Sequence, residues 1–520
     1  MEAPTIFLLL ILLLIVFAGK SLINPCRNAI PTTYPVIGCL ISFYTNRNRL
    51  LDWYTELLTG SPSGTVVIHR LAARRTVVTA NPSNVEYILK TNFDNFPKGK
   101  PFTDILGDFL GDGIFNVDGN LWLKQRRLAT HDFTPKSLRE FVTVLRTEVN
   151  NELLPFLDAA AQDSKHFDLH ELLRRFTFNM VCIFFLGIDH RGSLNPSSPV
   201  SEFDRAFQTA SAVSAGRGSA PLSFVWKLKR MVGFGSEKDL KNAVGEVHRC
   251  LHGIIRQKKK KTKSTAHDRG DFLSRLIAAG ESDETVRDMV ISIVMAGRDT
   301  TSAVITRLFW VIAGHQETEH DLVNEIRSVK GEITSGFDYG SLKKLSLLKA
   351  CLCEVMRLYP PVPWDSKHAL TDDRLPDGTV VRAGDRVTYF PYGMGRMEEL
   401  WGRDWDDFKP NRWVESYDDD RTVRVLKKVN PFKFPVFQAG PRVCLGEEMA
   451  YVQMKYIVAS MLDRFEIEPI ATDKPVFVPM LTAHMAGGMQ VRVRRRDQIC
   501  ISFEKVNNSN NSDRGSFFST

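Results

Sequence analysis

The residues with the clearest chemistry lie in one glycine-rich segment, FQAGPRVCLG at positions 437–446, directly before a helical pattern. Gly440 and Gly446 allow the backbone to come close to a flat ligand. Arg442 offers a fork of donors to a carboxylate. Cys444 precedes a helix N-terminus, where amide groups and the helix dipole favour a thiolate. The segment predicts a thiolate ligand beside a flat, carboxylate-bearing group; the alternative is a structural cysteine buried in a glycine turn.

A second segment, AGRDTT at positions 296–301, lies inside a long and largely apolar helical stretch from Met289 to Ile312. Glycine followed by an acid and an alcohol is costly in such a helix unless something replaces the lost packing. Asp299 and Thr300 are residue types that can pass protons to a reacting group. The alternative is that Thr300 only bonds back to the i−4 carbonyl of a core helix.

Two further patterns pair residues at helical spacing. Trp122 and Arg126 are four residues apart and share one helix face, although this pattern alone is weak. Glu354 and Arg357 are three residues apart, and Arg412 follows in a separate segment.

Taken together, these segments resemble the motifs of cytochrome P450 enzymes, in the same order and over nearly the whole chain. The resemblance implies a fold that is mainly α-helical with small β-sheets. It implies haem b with Cys444 as the iron ligand, and electrons from NADPH delivered by a membrane-bound flavoprotein reductase. A thiolate beside an iron porphyrin pushes electron density toward dioxygen and favours O–O cleavage.

The resemblance also implies roles for single residues. Trp122 and Arg126 reach a haem propionate, as does Arg442, and Glu354, Arg357 and Arg412 lock the fold around the cysteine loop. Oxygen binds beside Gly297, Thr300 hydrogen-bonds it, and Asp299 helps to relay protons. Many relatives place a propionate-binding arginine after Pro361, where this chain offers Lys367 or, as the second choice, His368.

Several blocks resemble the plant fatty-acid ω-hydroxylase branch: RDTTSA at 298–303, PVPWDSK at 361–367, YGMGR at 392–396 and FPVFQAG at 434–440. The resemblance implies hydroxylation at or near the end of an aliphatic lipid chain, with a fatty acid preferred. A sterol side chain and a jasmonate–amino-acid conjugate are alternative substrates, and the sequence names no anchor for a carboxylate. Family position places five residues along the substrate channel, each of which could equally be core: Phe115, Ile293, Val362, Trp364 and Leu481.

Two other classes of function remain as rivals. One is a haem-thiolate enzyme that rearranges peroxides without dioxygen or a reductase. The other is a non-catalytic haem-binding or membrane-recruited interaction protein. Relatives of the first kind often lose the acid–alcohol pair, so Asp299 and Thr300 argue against both.

The N-terminus predicts a membrane anchor over residues 1–24, followed by a proline-rich linker at 25–38. The uninterrupted apolar run from Ile6 to Ala18 is short for a bilayer, and it reaches the required length only with Lys20 snorkelling. A cleaved signal peptide fits poorly, because no basic residue precedes the run. Basic residues follow it, which predicts a single-pass protein of the endoplasmic reticulum with its body in the cytosol.

The catalytic domain is predicted over residues 39–505, with a disordered Asn- and Ser-rich tail at 506–520. Strands are expected at Thr65–His69 and Thr76–Thr79, a helix capped by Asn81, and a hairpin over residues 377–390. The lysines at 258–261 are expected in a loop between helices. A formal charge of +8 suits an acidic protein partner or membrane, and no zinc-finger or helix-turn-helix spacing indicates nucleic acid. Eight scattered cysteines indicate a reducing compartment.

Overall fold

A computed structural model describes residues 31–496, apart from 72, 189–193, 221, 263–269, 332–335, 418–423, 472–475 and 479. The predicted membrane anchor at 1–24 and the tail at 506–520 lie outside the described residues. No helix within the described ranges is long and apolar enough to cross a bilayer.

Helices make up most of the structure, which confirms the predicted class. The α-helices are α1 Leu40–Thr45, α2 Leu50–Thr59, α3 Pro82–Glu86, α4 Gly99–Leu110, α5 Gly119–Thr130, α6 Pro135–Glu148, α7 Leu154–Gln162, α8 Leu169–Leu186, α9 Glu202–Ser219, α10 Ser223–Val232, α11 Ser236–Thr262, α12 Phe272–Ala278, α13 Asp283–Ala313, α14 Gln316–Gly331, α15 Tyr339–Lys344, α16 Ser346–Leu358, α17 Pro391–Met394, α18 Glu398–Trp401 and α19 Glu447–Arg464. The strands are β1 Thr65–Ile68, β2 Thr76–Thr79, β3 Phe167–Asp168, β4 Asp365–His368, β5 Asp373–Arg374, β6 Val380–Val381, β7 Arg386–Tyr389, β8 Val414–Tyr417, β9 Arg424–Leu426, β10 Phe465–Pro469, β11 Phe477–Val478, β12 His484–Met485 and β13 Gln490–Arg495.

The central element is α13, which spans 31 residues from Asp283 to Ala313. The Ser282 side chain accepts a hydrogen bond from the Thr285 amide, which caps the first turn. Apolar residues occur on all sides of the helix, so it can be stable only when enclosed by other helices. It packs against α8 along its length and also contacts α16 and α19. This confirms the long apolar helix predicted around residues 289–312.

The largest sheet has four strands in the order β1-β2-β7-β4. Strands β1 and β2 were predicted, and Asn81 caps α3 by accepting a hydrogen bond from the Ser83 amide at 2.9 Å. The predicted hairpin over 377–390 is wrong in part. The strand β6 (Val380–Val381) pairs with the preceding strand β5 (Asp373–Arg374). Strand β7, the expected second arm of the hairpin, lies parallel to β2 instead. Parallel pairing joins segments far apart in sequence, so local spacing does not reveal it.

The prediction of a loop at lysines 258–261 is also wrong, because α11 continues to Thr262. Lys258 forms an ion pair with Asp271, and Lys259 forms one with Asp283 at the start of α13. Carboxylates contributed by the following segments compensate part of the lysine repulsion that would otherwise disfavour a helix.

Candidate active site

The cysteine segment folds as two short 3₁₀ turns, Pro435–Phe437 and Gly440–Arg442, followed by the first residue of α19 at Glu447. The amide of Cys444 donates a hydrogen bond to the Phe437 carbonyl at 2.8 Å, which closes the loop. Gly440 has a φ of +67°, and a Cβ there would lie 2.1 Å from the carbonyl oxygen of Leu89. Gly440 is therefore required for packing against the turn at 87–91. The expectation that it also serves the approach of a flat ligand stays a prediction.

The sulfur of Cys444 opens into a large internal cavity. Burial raises the pKa of the Cys444 thiol to about 11, although the amide of Gly446 lowers it. The predicted influence of the helix N-terminus is present, but desolvation outweighs it. A cation bound at the sulfur would stabilise the thiolate, so the sulfur suits a metal ligand better than a free nucleophile.

Among the residues of α13 that line the same cavity are Gly297 and Thr300. A Cβ on Gly297 would lie 2.7 Å from Val181 of α8, so the glycine permits the two helices to approach closely. The Thr300 hydroxyl donates to the Ala296 carbonyl at 2.7 Å, which is the bond of the structural alternative. The hydroxyl oxygen can still accept a hydrogen bond at the cavity wall. The bond to the helix backbone is therefore compatible with a hydrogen bond to a group in the cavity.

Asp299 is not among the residues of the described chain that line the cavity. Its carboxyl interacts instead with Arg174, His170 and His484 on the far side of α13. Burial raises the pKa of Asp299, and the positive charge of Arg174 opposes that rise. The preceding Arg298 is buried in an ion pair with Asp204. The acid and alcohol predicted to work together therefore lie on different sides of the helix.

A group of basic side chains lies beside the cysteine loop. Arg442 donates to the Val117 carbonyl and to the Asp118 carboxylate, each at 2.7 Å, and its guanidinium lies 4.6 Å from the centre of the Trp122 ring. Arg126 donates to the Val443 carbonyl at 2.8 Å. The structure thus brings together three residues that were predicted to contact a propionate, namely Trp122, Arg126 and Arg442.

Lys367 is also turned into this cavity, 1% exposed, with its ammonium 3.7 Å from the Asp365 carboxylate. Burial, together with the charge of Lys98, lowers the pKa of Lys367 well below its ordinary value. The second choice, His368, donates a hydrogen bond through Nδ1 to the Lys98 carbonyl, 2.6 Å away. Lys98 pairs with the same carboxylate of Asp365, and sequence reasoning missed both of these residues. No motif marks Lys98, because only folding brings it to the strand that carries Asp365. We call the following four side chains the basic group: Lys98, Arg126, Lys367 and Arg442.

The basic group fits the two propionates of a haem. Its four basic side chains face two carboxylates, those of Asp118 and Asp365, so basic groups outnumber acidic groups here in the part of the chain the structure describes. A buried excess of charge is costly unless anions balance it. With the Cys444 sulfur in the same cavity, the donor set matches a flat metal complex that carries two carboxylates.

The remaining cavity wall is mainly apolar. All five residues expected along the substrate channel line it: Phe115, Ile293, Val362, Trp364 and Leu481. They come from four segments of the chain and meet the space between α13 and the cysteine loop. None is sealed inside the core, so the cavity can accept an aliphatic group beside the sulfur.

Glu354 forms the centre of a buried polar network behind the cysteine loop. Its carboxylate accepts two hydrogen bonds of 2.8 Å from Arg357 and one of 3.2 Å from Arg412. The Trp413 indole donates a further bond at 2.8 Å. Arg357 is tied to backbone carbonyls, including that of Trp405 at 2.6 Å. The network joins α16 to the segment that leads into the cysteine loop.

Comparisons with known proteins agree with this geometry. The family model for cytochrome P450 matches residues 29–489. Cytochrome P450 94B1 of Arabidopsis thaliana is 56% identical over 471 residues, covering 90% of this chain and 92% of the relative. Cytochrome P450 94A1 of Vicia sativa is 43% identical over 90% and 91%. The crystal structure of the cytochrome P450DA heme domain shares the fold, with a TM-score of 0.74, 18% identity and coverage of 91% and 98%. The chain belongs to the cytochrome P450 family, the haem-thiolate monooxygenases.

Proposed function

We propose that this enzyme hydroxylates the terminal or near-terminal carbon of a lipid aliphatic chain, with a fatty acid preferred. One observation carries the proposal. The sulfur of Cys444, the hydroxyl of Thr300 and an apolar wall that includes Phe115 and Leu481 all face one cavity. Such a wall holds a chain end by hydrophobic contact and presents it to the reacting centre. The resemblance to the fatty-acid ω-hydroxylase branch supports the same substrate.

Haem b, when bound, would activate dioxygen with electrons from NADPH delivered by a reductase, so that one oxygen atom enters the unactivated C–H bond and the other leaves as water. The chain's own residues have more limited tasks. Cys444 supplies the sulfur ligand, and the basic group balances the propionates. Thr300 offers a hydrogen-bonding oxygen at the cavity wall, while Asp299 exchanges protons from behind α13. The apolar wall excludes water, which protects the reaction from side products.

We also propose that the enzyme lies on the cytosolic face of the endoplasmic reticulum membrane. Beyond the predicted anchor, α10 and the residues after it carry an exposed apolar face. Basic residues at 227, 229 and 230 adjoin this face, which suits an anionic lipid surface. The exposed apolar side chains are Phe224, Val225, Leu228, Met231, Val232 and Phe234.

The test is competitive turnover in microsomes that contain the reductase. A long-chain fatty acid, a hydroxylated sterol and a jasmonate–amino-acid conjugate are supplied together, and products are identified by mass spectrometry. The proposal expects a terminal hydroxy fatty acid as the main product. Oxygenation of the sterol side chain, or of the conjugate, with the fatty acid untouched would refute the preferred substrate. Rearrangement of a fatty-acid hydroperoxide without NADPH, together with no NADPH-dependent hydroxylation of any of the three substrates, would refute the monooxygenase reaction itself.

A control separates the haem ligand from the substrate. Cys444→Ala is expected to abolish the red-shifted carbon monoxide band of the reduced enzyme, whereas Cys250→Ala, a half-buried cysteine on α11, is expected to keep it. Retention of that band in Cys444→Ala would disprove the ligand assignment.

A further inference from the structure

One face of the four-stranded sheet forms a wall of the same cavity. In the observed register Thr76 pairs with Arg386, and Arg386 pairs with His368. Two residues along, Thr388 pairs with Ser366. Alternate residues of a strand point to the same face, and these five all line the cavity. This sheet face is therefore a continuous surface along which a ligand can lie.

The chemistry of this wall changes along its length. Trp364 and Phe390 stack with ring centres 6.0 Å apart and form the apolar end. Ser366 and Thr388 follow, with their hydroxyls hydrogen-bonded at 2.8 Å. Arg386 lies at the charged end. The wall thus passes from aromatic to hydroxyl to guanidinium within one sheet face.

The apolar end is the one nearer the cysteine loop. The hydroxyl of Tyr389, at the C-terminal end of β7, donates to the Gln438 side chain within that loop. Arg386 lies three residues earlier, about 10 Å away along an extended strand. A substrate whose reacting end lies at the cysteine loop would therefore extend with its other end toward Arg386.

Arg386 has a second guanidinium for a neighbour. Arg70, just beyond β1, lines the cavity and lies with its guanidinium 3.9 Å from the centre of the Phe43 ring. Arg70 Nη1 and Arg386 Nε are both buried and have no hydrogen-bond acceptor within the described part of the chain. Besides burial, the positive charges of Arg70 and Arg74 lower the pKa of Arg386, and no carboxylate of the described chain is among the groups that shift it.

Three other cations near the cavity have carboxylate partners. Arg442 pairs with Asp118, and Lys98 and Lys367 share Asp365, beside the cysteine loop where the propionates fit. The two arginines of the sheet have no such partner in the described chain, and burial lowers the pKa of Arg386. Two like charges held together with unsatisfied donors are costly, and a bound anion would remove that cost.

We infer that Arg70 and Arg386 bind the carboxylate of the substrate, and that this site selects lipid acids over neutral lipids. The inference rests on the proposed function and narrows it. A guanidinium fork matches a carboxylate in shape and charge. With the head group fixed between Arg70 and Arg386, the aliphatic chain runs past Thr388 and Trp364 toward Cys444. The methyl end then lies nearest the reacting centre, which explains attack at or near the terminus.

The test compares dodecanoate with its methyl ester, which keeps the chain and removes the charge. Both are titrated into the haem-loaded enzyme, with dissociation constants measured by the haem absorbance shift and by calorimetry. Arg386→Gln and Arg70→Gln are each expected to weaken dodecanoate binding roughly ten- to a hundredfold, as loss of a charged hydrogen bond does. The affinity for the ester is expected to change by less than about threefold, because no charge is involved.

Two variants guard against a folding artefact. Arg74→Gln removes the same charge from an exposed neighbour, whose guanidinium reaches the Gly384 carbonyl at 3.3 Å, and should leave both affinities unchanged. Arg386→Lys keeps the charge without the fork and should fall between the wild type and Arg386→Gln. Every variant must keep the carbon monoxide band of the folded enzyme. In Arg386→Gln the share of in-chain hydroxylated product should also rise, because the head group is no longer fixed.

The outcomes separate this inference from the proposed function. If the wild type hydroxylates dodecanoate at its terminus but the arginine variants bind it normally, the carboxylate site is refuted and the function stands. If the wild type ignores dodecanoate but binds jasmonoyl-isoleucine in a manner that depends on Arg386, the carboxylate site stands and the fatty-acid preference fails. Tight binding of a neutral sterol and of neither acid would overturn both.

Discussion

The guanidinium of Arg126 donates a hydrogen bond of 2.8 Å to the carbonyl oxygen of Val443, the residue directly before Cys444. This bond ties α5 to the cysteine loop across more than 300 positions of sequence. The same guanidinium acts on the sulfur, since its positive charge lowers the pKa of Cys444 against the larger effect of burial. Arg126 therefore holds the loop and also stabilises negative charge at the ligand atom.

Arg126→Ala is expected to weaken haem retention by roughly tenfold, because a charged hydrogen bond to the loop and one propionate partner are both lost. The rate of haem transfer to an acceptor protein measures the effect. Arg127→Ala is the matched control, because this neighbouring arginine is exposed and does not line the cavity. Equal rates of haem loss in the two variants would contradict the role of Arg126.

Thr300→Ala is expected to uncouple the reaction. NADPH consumption should continue while product falls roughly ten- to a hundredfold and hydrogen peroxide accumulates, since a positioned proton-transfer partner contributes a factor of this order. Thr300→Ser should restore coupling because it keeps the hydroxyl. Thr306→Ala is the control on the same helix: its hydroxyl is buried and bonds the Ser302 carbonyl at 2.8 Å. Fully coupled turnover in Thr300→Ala would remove the catalytic role.

Glu354→Ala is expected to destabilise the fold by about 3–5 kcal/mol, because it leaves the guanidinium of Arg357 buried without its counter-ion. Arg412 also loses its carboxylate partner. Urea unfolding followed by circular dichroism measures the loss, and the haem should be released at the same midpoint. Glu399→Ala, at an exposed position nearby, should change the free energy of unfolding by less than about 0.5 kcal/mol. A wild-type midpoint for Glu354→Ala would show that the network does not stabilise the loop.

The buried His170, which lies behind α13, should make the folded protein less stable at acid pH. Burial, followed by the charge of His484, lowers the pKa of His170 from 6.5 to about 4. Asp168 and Asp299 raise it and Arg174 lowers it further. A histidine whose folded pKa is depressed contributes stability that is present above pH 6.5 and is lost as the pH falls toward 4.

The melting temperature of the wild type is therefore expected to fall as the pH decreases from 6.5 to 4. The melting temperature of His170→Gln should fall by a smaller amount over the same pH range. His320→Gln, an exposed histidine on α14, serves as the control and should follow the wild type. Parallel curves for wild type and His170→Gln would show that this histidine does not contribute to the acid loss.

Much of the site could be predicted because its signals are local. The cysteine loop, the long apolar α13 and the Glu354–Arg357 pair each depend on spacing within a few residues. All five channel residues inferred from family position line the cavity. The surroundings of the Asp299 carboxyl could not be predicted, because the packing of α8 and β12 decides on which side of α13 His170 and His484 lie. The packing role of Gly440 could not be predicted for a similar reason, since its neighbour is the backbone of Leu89.

The sequence by itself determined the family, the helical class and the apolar character of the cavity wall, and it predicted Cys444 as the ligand, because each follows from residue types at short, fixed spacing. Only the tertiary structure decided which distant charges share a space. Lys98 meets Asp365, and Arg70 lies beside Arg386, more than 300 positions away. Such pairs depend on parallel strand register and helix packing, and no local pattern encodes these long-range arrangements. The charge balance of the cavity, and the anion it can bind, are therefore properties of the folded chain.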